Sequence, residues 1–220
     1  MEKRKHIVIL AAGDFPTHPV PFRALREADF VVCCDSAYDE WKAEGGEWKA
    51  GKPFTVIGDG DSIRPEDRIA LGDKLIRVEE QDYNDLHKAM DYATAQFPIP
   101  NSQFSILGAT GRREDHTLGN ISYLVTFAEE HPGADIEMLT DHGRFSAFRG
   151  RRTFASFPRQ QVSVFAADPA VPFSGSGLEY PIDNMHATRW WNATLNSALG
   201  DTFDLWSDGW LIVFQTYEPK

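Results

Sequence analysis

The chain has 220 residues, with 42% hydrophobic and 25% charged side chains and a formal net charge of -11 at pH 7. That length supports one large domain or two small ones with cores of their own. The acidic balance argues against a general nucleic-acid or anionic-membrane binder, since both need basic surface, but it leaves room for an anionic small ligand held by a metal ion or a local arginine.

The start, MEKRKHIVILAAGDF, is broken by Asp14 after a short apolar run and reads as a first strand rather than a signal peptide. No stretch reaches the roughly 20 apolar residues of a membrane span. The two cysteines, Cys33 and Cys34, are adjacent. Neighbours on a strand point to opposite faces, so free buried thiols in a reducing cytoplasm are expected.

Over the first 140 residues, β-rich runs alternate with helical patterns. The strand candidates are HIVILAA, FVVCCD, FTVIGD, LIRV, FSILGA and DIEMLT. Between them, Asn84 to Phe97 carries Leu86, Met90, Ala93 and Phe97 at helical spacing. A second helix is predicted over Glu114 to Glu130, with Leu118, Ile121, Val125 and Ala128 on one face. This alternation predicts a mostly parallel sheet with flanking helices. After about Gly143 the runs RFSAFRG, RRTFASFP, QQVSVFAAD, DTFDLWS and GWLIVFQTY alternate and are broken by Pro, Gly and Asp. They predict a small all-β sandwich or barrel. The division expected is therefore 1–142 for an α/β domain and 143–220 for a β domain.

Ligands of open parallel sheets bind beyond the carboxyl ends of the strands. Acids recur there: Asp35 after FVVCC, Asp59 and Asp61 after FTVI, Asp82 and Asp85 after LIRVEEQ, and Asp115 past FSILGA. Each has a plainer explanation. Asp82 would cap the helix that follows, with Asp85 as its capping-box partner, and Asp35 and Asp59 would be turn residues. Gathered at one edge, however, the acids repel one another and call for a cation. A hard divalent ion such as Mg²⁺ suits oxygen donors that it shares with a substrate's phosphates.

The stretch ILGATGRREDH brings Gly108 and Gly111 into a loop that opens a helix, with Arg112 and Arg113 beside it. Backbone amides and an arginine in such a loop suit phosphate oxygens. The plainer reading is a glycine turn with solvated arginines, and the loop lacks the Gly-Lys-Ser/Thr of a P-loop. Opposite a carboxylate cluster, it fits a nucleoside triphosphate. The seven histidines show no zinc spacing, and neither G-x-S-x-G nor G-x-G-x-x-G occurs. Trp190 and Trp191 read as core of the β domain.

DSAY at 35–38, GDGDS at 58–62, DYND at 82–85, GRREDH at 111–116 and GLEYP at 177–181, followed by TLNS at 194–197, resemble in order and spacing the motifs of the thiamine pyrophosphokinase family. The resemblance covers nearly the whole chain. It implies transfer of a diphosphate from ATP to thiamine, giving thiamine diphosphate and AMP, in a homodimer whose sites are shared between the α/β domain of one subunit and the β domain of the other. It implies that Asp59, Asp61 and Asp85 hold Mg²⁺ and, with Asp115, form the catalytic group. Asp35, Ser36, Gln81, Asp82, Gly108, Gly111, Arg113 and His116 would line the nucleotide and phosphate site. Tyr180, Thr194 and Asn196 would meet thiamine.

The sequence departs from the family pattern at several points. Ser36 stands for a glycine, Gly60 for an aromatic residue, and Leu195 and Ala193 replace serines of the terminal motif. A pyrophosphokinase acting on another hydroxymethyl heterocycle such as a pterin, or a nucleotide-binding regulator without turnover, are the competing readings.

Overall fold

A computed structural model describes residues 4–80 and 82–219. The chain forms two compact units. The first comprises the residues up to Tyr123 together with Glu130–Asp141; the second comprises Leu124–Glu129 and the residues from His142 on.

The first unit is built on β1 (Lys5–Leu10), β2 (Phe30–Cys34), β3 (Phe54–Gly58), β4 (Leu75–Arg77), β5 (Ser102–Leu107) and β6 (Asp135–Leu139). Their order is β4-β3-β2-β1-β5-β6, and every pairing among them is parallel. Strands of a parallel sheet covered on both faces are apolar without alternation. Ile7, Val8, Ile9 and Leu10 accordingly lose all solvent contact, as do Val31, Val32, Phe104, Ile106 and Leu107. The mostly parallel sheet with helices expected from the βα alternation is what forms.

The helices are α1 (Pro19–Glu27), α2 (Tyr38–Ala43), α3 (Pro65–Leu71), α4 (Asp85–Gln96) and α5 (Glu114–Glu130). In α4 the expected face is buried at Leu86, Met90 and Ala93, but the cap is not Asp82. Asn84 takes that place, its side chain accepting from the His87 amide at 3.0 Å. Asp85 is left as the first helical residue, free of capping duty. In α5 the buried side chains are Leu124 and Phe127, while Leu118 is exposed. The helix carries a broad apolar face, about half of its circumference, so its period alone does not define which part is buried. Among the described residues no helix is long and apolar enough to cross a membrane. Cys33 and Cys34 are free, buried thiols.

The second unit is antiparallel and β-rich, as expected. Its strands are β7 (Gly143–Ala155), β8 (Gln160–Ala166), β9 (Phe173–Ser176), β10 (Ile182–Met185), β11 (Ala193–Ser197) and β12 (Thr202–Pro219). β12 pairs with β7, β8 and β9; β10 adds to β9 and β11 to β8. RFSAFRG and RRTFASFP, read as separate runs, are one strand, and so are DTFDLWS and GWLIVFQTY. Gly150 and the register shift between Ser207 and Leu211 lie opposite each other. Glycine and aspartate there bend two long strands rather than ending them. Val162, Val164, Phe173, Phe203, Leu205 and Val213 fill the core, with Phe154 stacked on Phe203 at 5.0 Å. Trp190 and Trp191 do not join it. They are 45% and 47% exposed and pack edge-to-face on each other at 5.7 Å.

Candidate active site

Strand order fixes where a ligand can enter the first unit. From β1 the chain moves outward through β2, β3 and β4, then returns to place β5 on the other side of β1. The connections after β1 and β5 therefore diverge, and the crevice between them opens at the carboxyl edge. A cleft of about 390 Å³ lies there. Ala11–Gly13 after β1 and Ala109, Gly111, Arg112, Arg113 and His116 after β5 line it, with Ser36, Asn84 and Asp85.

Asp35 directly follows β2 and is 3% exposed. Its Oδ2 accepts the Gly60 amide at 3.0 Å. Burial raises its pKa to about 6, helped by the negative charge of Asp85 and then Asp59, against the lowering effect of the Gly60 hydrogen bond. Three of the predicted acids thus come together electrostatically. Asp61 is tied to Asp59 by its backbone amide, which donates to Asp59 Oδ1 at 2.9 Å. The glycine of GDGDS that matters most to this packing is Gly58. It has φ 156°, and a Cβ on it would sit 2.6 Å from Asp35 Cγ. Its bare backbone makes room for Asp35's carboxylate, not for a phosphate as such.

The loop after β5 is folded on backbone contacts. Gly13 N–H donates to the Gly108 carbonyl at 2.5 Å, and Asp14 N–H to Thr110 at 2.8 Å. Gly111, at φ 80°, lies where any Cβ would overlap the Asp14 carboxylate. Arg112 adopts the left-handed conformation, donates to the Ala12 carbonyl at 2.8 Å and pairs with Glu40. Arg113 instead forks onto Asp115, with Nε to Oδ1 at 3.0 Å and Nη2 to Oδ2 at 2.5 Å. That pairing pulls the Asp115 carboxyl down to about 2. Both side chains are exposed. Asp82 is exposed and donates its amide to Glu80. Gln81 lies outside the described residues.

The second unit has a cleft of about 440 Å³ lined by Arg159, Glu179, Tyr180, Leu195 and Asn196 among others. Asn196 is 5% exposed, and its amide is committed to the backbone. Oδ1 accepts from Tyr180 N at 3.0 Å and Ser197 N at 2.8 Å, while Nδ2 donates to Tyr180 O at 2.8 Å. The Tyr180 side chain projects 62% exposed from that anchored backbone. Leu195 has φ 62° and is 77% exposed. Thr194 sits beside it on β11, its amide donating to the Trp191 carbonyl.

Residues 22–137, more than half of the chain, match the family model described as thiamin pyrophosphokinase, catalytic domain, and residues 143–214 match thiamin pyrophosphokinase, substrate-binding domain. The chain belongs to the thiamin pyrophosphokinase family. It is 37% identical over 97 residues to thiamine pyrophosphokinase 3 of Oryza sativa subsp. japonica, a match covering 41% of this chain and 35% of that one. Against thiamine pyrophosphokinase of Bacillus subtilis it is 28% identical over 148 residues, 62% of this chain and 64% of the other. The chain thus spans about a third of the length of the first of these curated relatives. Crystal structures share its fold. The yeast thiamin pyrophosphokinase superposes with a TM-score of 0.79 at 15% identity, over 98% of this chain and 87% of that one. The Geobacillus thermodenitrificans protein superposes at 0.73 and 22% identity, over 97% and 98%.

One charged member of the carboxyl-edge cluster has no place in the motifs. Lys88 is 6% exposed, and its Nζ lies 3.7 Å from Asp85 Oδ1. The signal was present: a lysine three residues after Asp85, on the face of α4 that also buries Ala89 and Met90. A lysine is rarely buried unless paired, and here the carboxylate is its partner.

Proposed function

We propose that the chain transfers the terminal diphosphate of ATP to the hydroxyl of thiamine, releasing AMP, with Mg²⁺ as the metal. The cluster of buried Asp35 with half-buried Asp59 and Asp85 at the switch point carries this reading. Its carboxylates raise one another's affinity for a positive charge, and hard oxygen donors are what Mg²⁺ selects. Asp59, Asp61 and Asp85 would hold the ion. Bound, it supplies charge neutralisation on the phosphates.

The remaining roles belong to the chain itself. Arg113 turns from Asp115 to the phosphate oxygens, and the amides of the loop from Gly108 to Gly111, with Ser36 and His116, line the nucleotide's path. Gln81 and Asp82 belong to the same nucleotide site by motif. Lys88 fixes the orientation of Asp85. Asp35, buried beside Asp59 and Asp85, would be the carboxylate that takes a proton from the thiamine alcohol. In the β unit, Asn196 positions Tyr180, whose ring faces the thiazolium cation, while Glu179 supplies negative charge. Thr194 completes that edge.

Domains divide at 142/143, with ATP and Mg²⁺ on the first and thiamine on the second. The protein is a homodimer that shares its sites between subunits, and it resides in the cytoplasm, where buried free thiols persist.

The test is incubation of the purified chain with Mg²⁺ and ATP plus either thiamine or a hydroxymethyl pterin, followed by mass analysis. Thiamine diphosphate is the expected product. Diphosphorylated pterin with untouched thiamine would replace the acceptor. Nucleotide binding without turnover of either would make the chain a regulator.

A further inference from the structure

The loop after β5 contains a residue whose backbone is costly where it stands. Arg112 has φ 55°, in the left-handed region that non-glycine residues disfavour. Its neighbour Gly111, at φ 80°, takes the same region freely. Such a conformation persists where the surroundings hold it, and functional sites are where this is concentrated. The arginine's own side chain supplies the hold. Its Nη1 donates to the Ala12 carbonyl at 2.8 Å, and its Nη2 pairs with the Glu40 carboxylate.

These two partners belong to different elements around the cleft. Ala12 lies in the turn after β1, which backbone hydrogen bonds already zip to the loop after β5. Glu40 lies on α2, and Asp35 and Ser36 form the turn that enters this helix. α2 is itself well anchored. Lys42 and Arg64 both pair with Asp67, whose side chain is 4% exposed, and Arg64 also reaches Asp39 at 3.2 Å. From the other side, Asn120 of α5 donates its Nδ2 to the Ala109 carbonyl at 2.8 Å. Arg112 therefore carries a connection from the loop after β5, past the turn after β1, to the helix that follows Asp35.

We infer that Arg112 is a positioning residue of the nucleotide site: it pins the loop after β5 to α2, so that Arg113 and the amides from Gly108 to Gly111 keep a set place relative to Asp35 and Ser36. This role rests on the nucleotide reading given above. Arginine suits it better than lysine, because a guanidinium fork can serve a carbonyl and a carboxylate together. Both side chains of the ion pair are partly exposed, so the bridge holds the loop while adding little to the stability of the whole fold. A loop ordered in advance loses less conformational freedom when phosphate binds, and affinity gains accordingly.

The test compares the unmutated chain with Glu40→Gln, with Arg112→Gly, which accepts the left-handed backbone, and with the double variant. Binding of Mg²⁺-ATP is followed by calorimetry. Glu40→Gln should raise the Kd about two- to fivefold, the worth of one partly exposed ion pair. Arg112→Gly also loses the bond to Ala12 and should raise it about tenfold. Amide exchange over residues 108–113 of the ligand-free protein should quicken in both, while the Tm and the KM for thiamine change little. The double variant should bind no worse than Arg112→Gly, because both changes cut the same bridge. Effects that multiply in the double variant, or an unchanged Kd in Arg112→Gly, would overturn the role of Arg112 alone. Failure of the unmutated chain to bind Mg²⁺-ATP would overturn the nucleotide reading itself, and the role with it.

Discussion

The two clefts of this chain are made in different ways. In the α/β unit, the proposed function rests on charged side chains beyond strand ends: Asp35, Asp59, Asp85 and the arginines of the loop after β5. In the β unit, it rests on a backbone corner that a single buried amide, Asn196, holds around Tyr180. A charged cluster leaves a mark in the sequence, because acids spaced two or three apart after an apolar strand are costly without a cation. An anchored corner leaves little, because any asparagine near a turn has a local explanation. The first cleft should therefore respond to charge changes with the fold intact, and the second to loss of one side chain's hydrogen bonds.

The sharpest way to break this comparison is Asp61→Asn. It keeps the shape and removes one charge from the proposed metal site, and turnover should drop at least about a hundredfold while circular dichroism stays unchanged. Full turnover at ordinary Mg²⁺ would remove the metal role.

Mixing Asp61→Asn with Tyr180→Ala protein comes next. If each site draws one cleft from each subunit, random exchange restores about a quarter of the unmutated turnover, because half the dimers carry one intact site. Exchange confirmed by mass, with nothing recovered, would place both clefts of a site in one chain. Arg113→Ala should raise the KM for ATP roughly tenfold or more, as expected for a lost charged contact to phosphate, and leave the KM for thiamine almost unchanged. Equal effects on both would contradict its assignment.

For the β cleft, Asn196→Ala leaves the backbone of Tyr180 without its partners at a cost of about 1–3 kcal/mol. A thermal melt should show the loss, accompanied by a raised KM for thiamine and a normal KM for ATP. The smallest effect concerns pH. Asp35 has its folded pKa raised to about 6, above its unfolded value. The metal-free folded state therefore binds the extra proton, and this stabilisation is complete below about pH 4 and fades as pH rises through 6. Denaturant midpoints of Asp35→Asn should lack that slope.

How much was legible in the sequence follows the same division. The parallel sheet could be read because Ile7–Leu10 and its neighbours are apolar without interruption. Asn84 was missed as the cap of α4 because Asp82 offered an equally good capping pattern two residues earlier. The buried face of α5 was misjudged because Leu118 sits at one edge of a broad apolar face whose other edge, at Leu124 and Phe127, is the part that is buried. Lys88 went unnoticed because a lysine on a helix is ordinarily solvated, and its burial depends on the sheet packed beneath. Gly58 belongs to a visible motif, GDGDS, but its partner is not visible there. Only the fold brings Asp35, 23 residues earlier, against its bare backbone. Trp190 and Trp191 were placed inside by their size, yet β8 and β12 fill the core with smaller residues and leave the pair outside.

The central claim is that the α/β cleft directs attack at the β-phosphorus of ATP, so that two phosphates move together. Incubation with Mg²⁺, thiamine and ATP labelled at the β-phosphorus tests it directly. The account predicts that the label appears in thiamine diphosphate in step with unlabelled AMP. Label retained in ADP, with thiamine monophosphate as the other product, would contradict it.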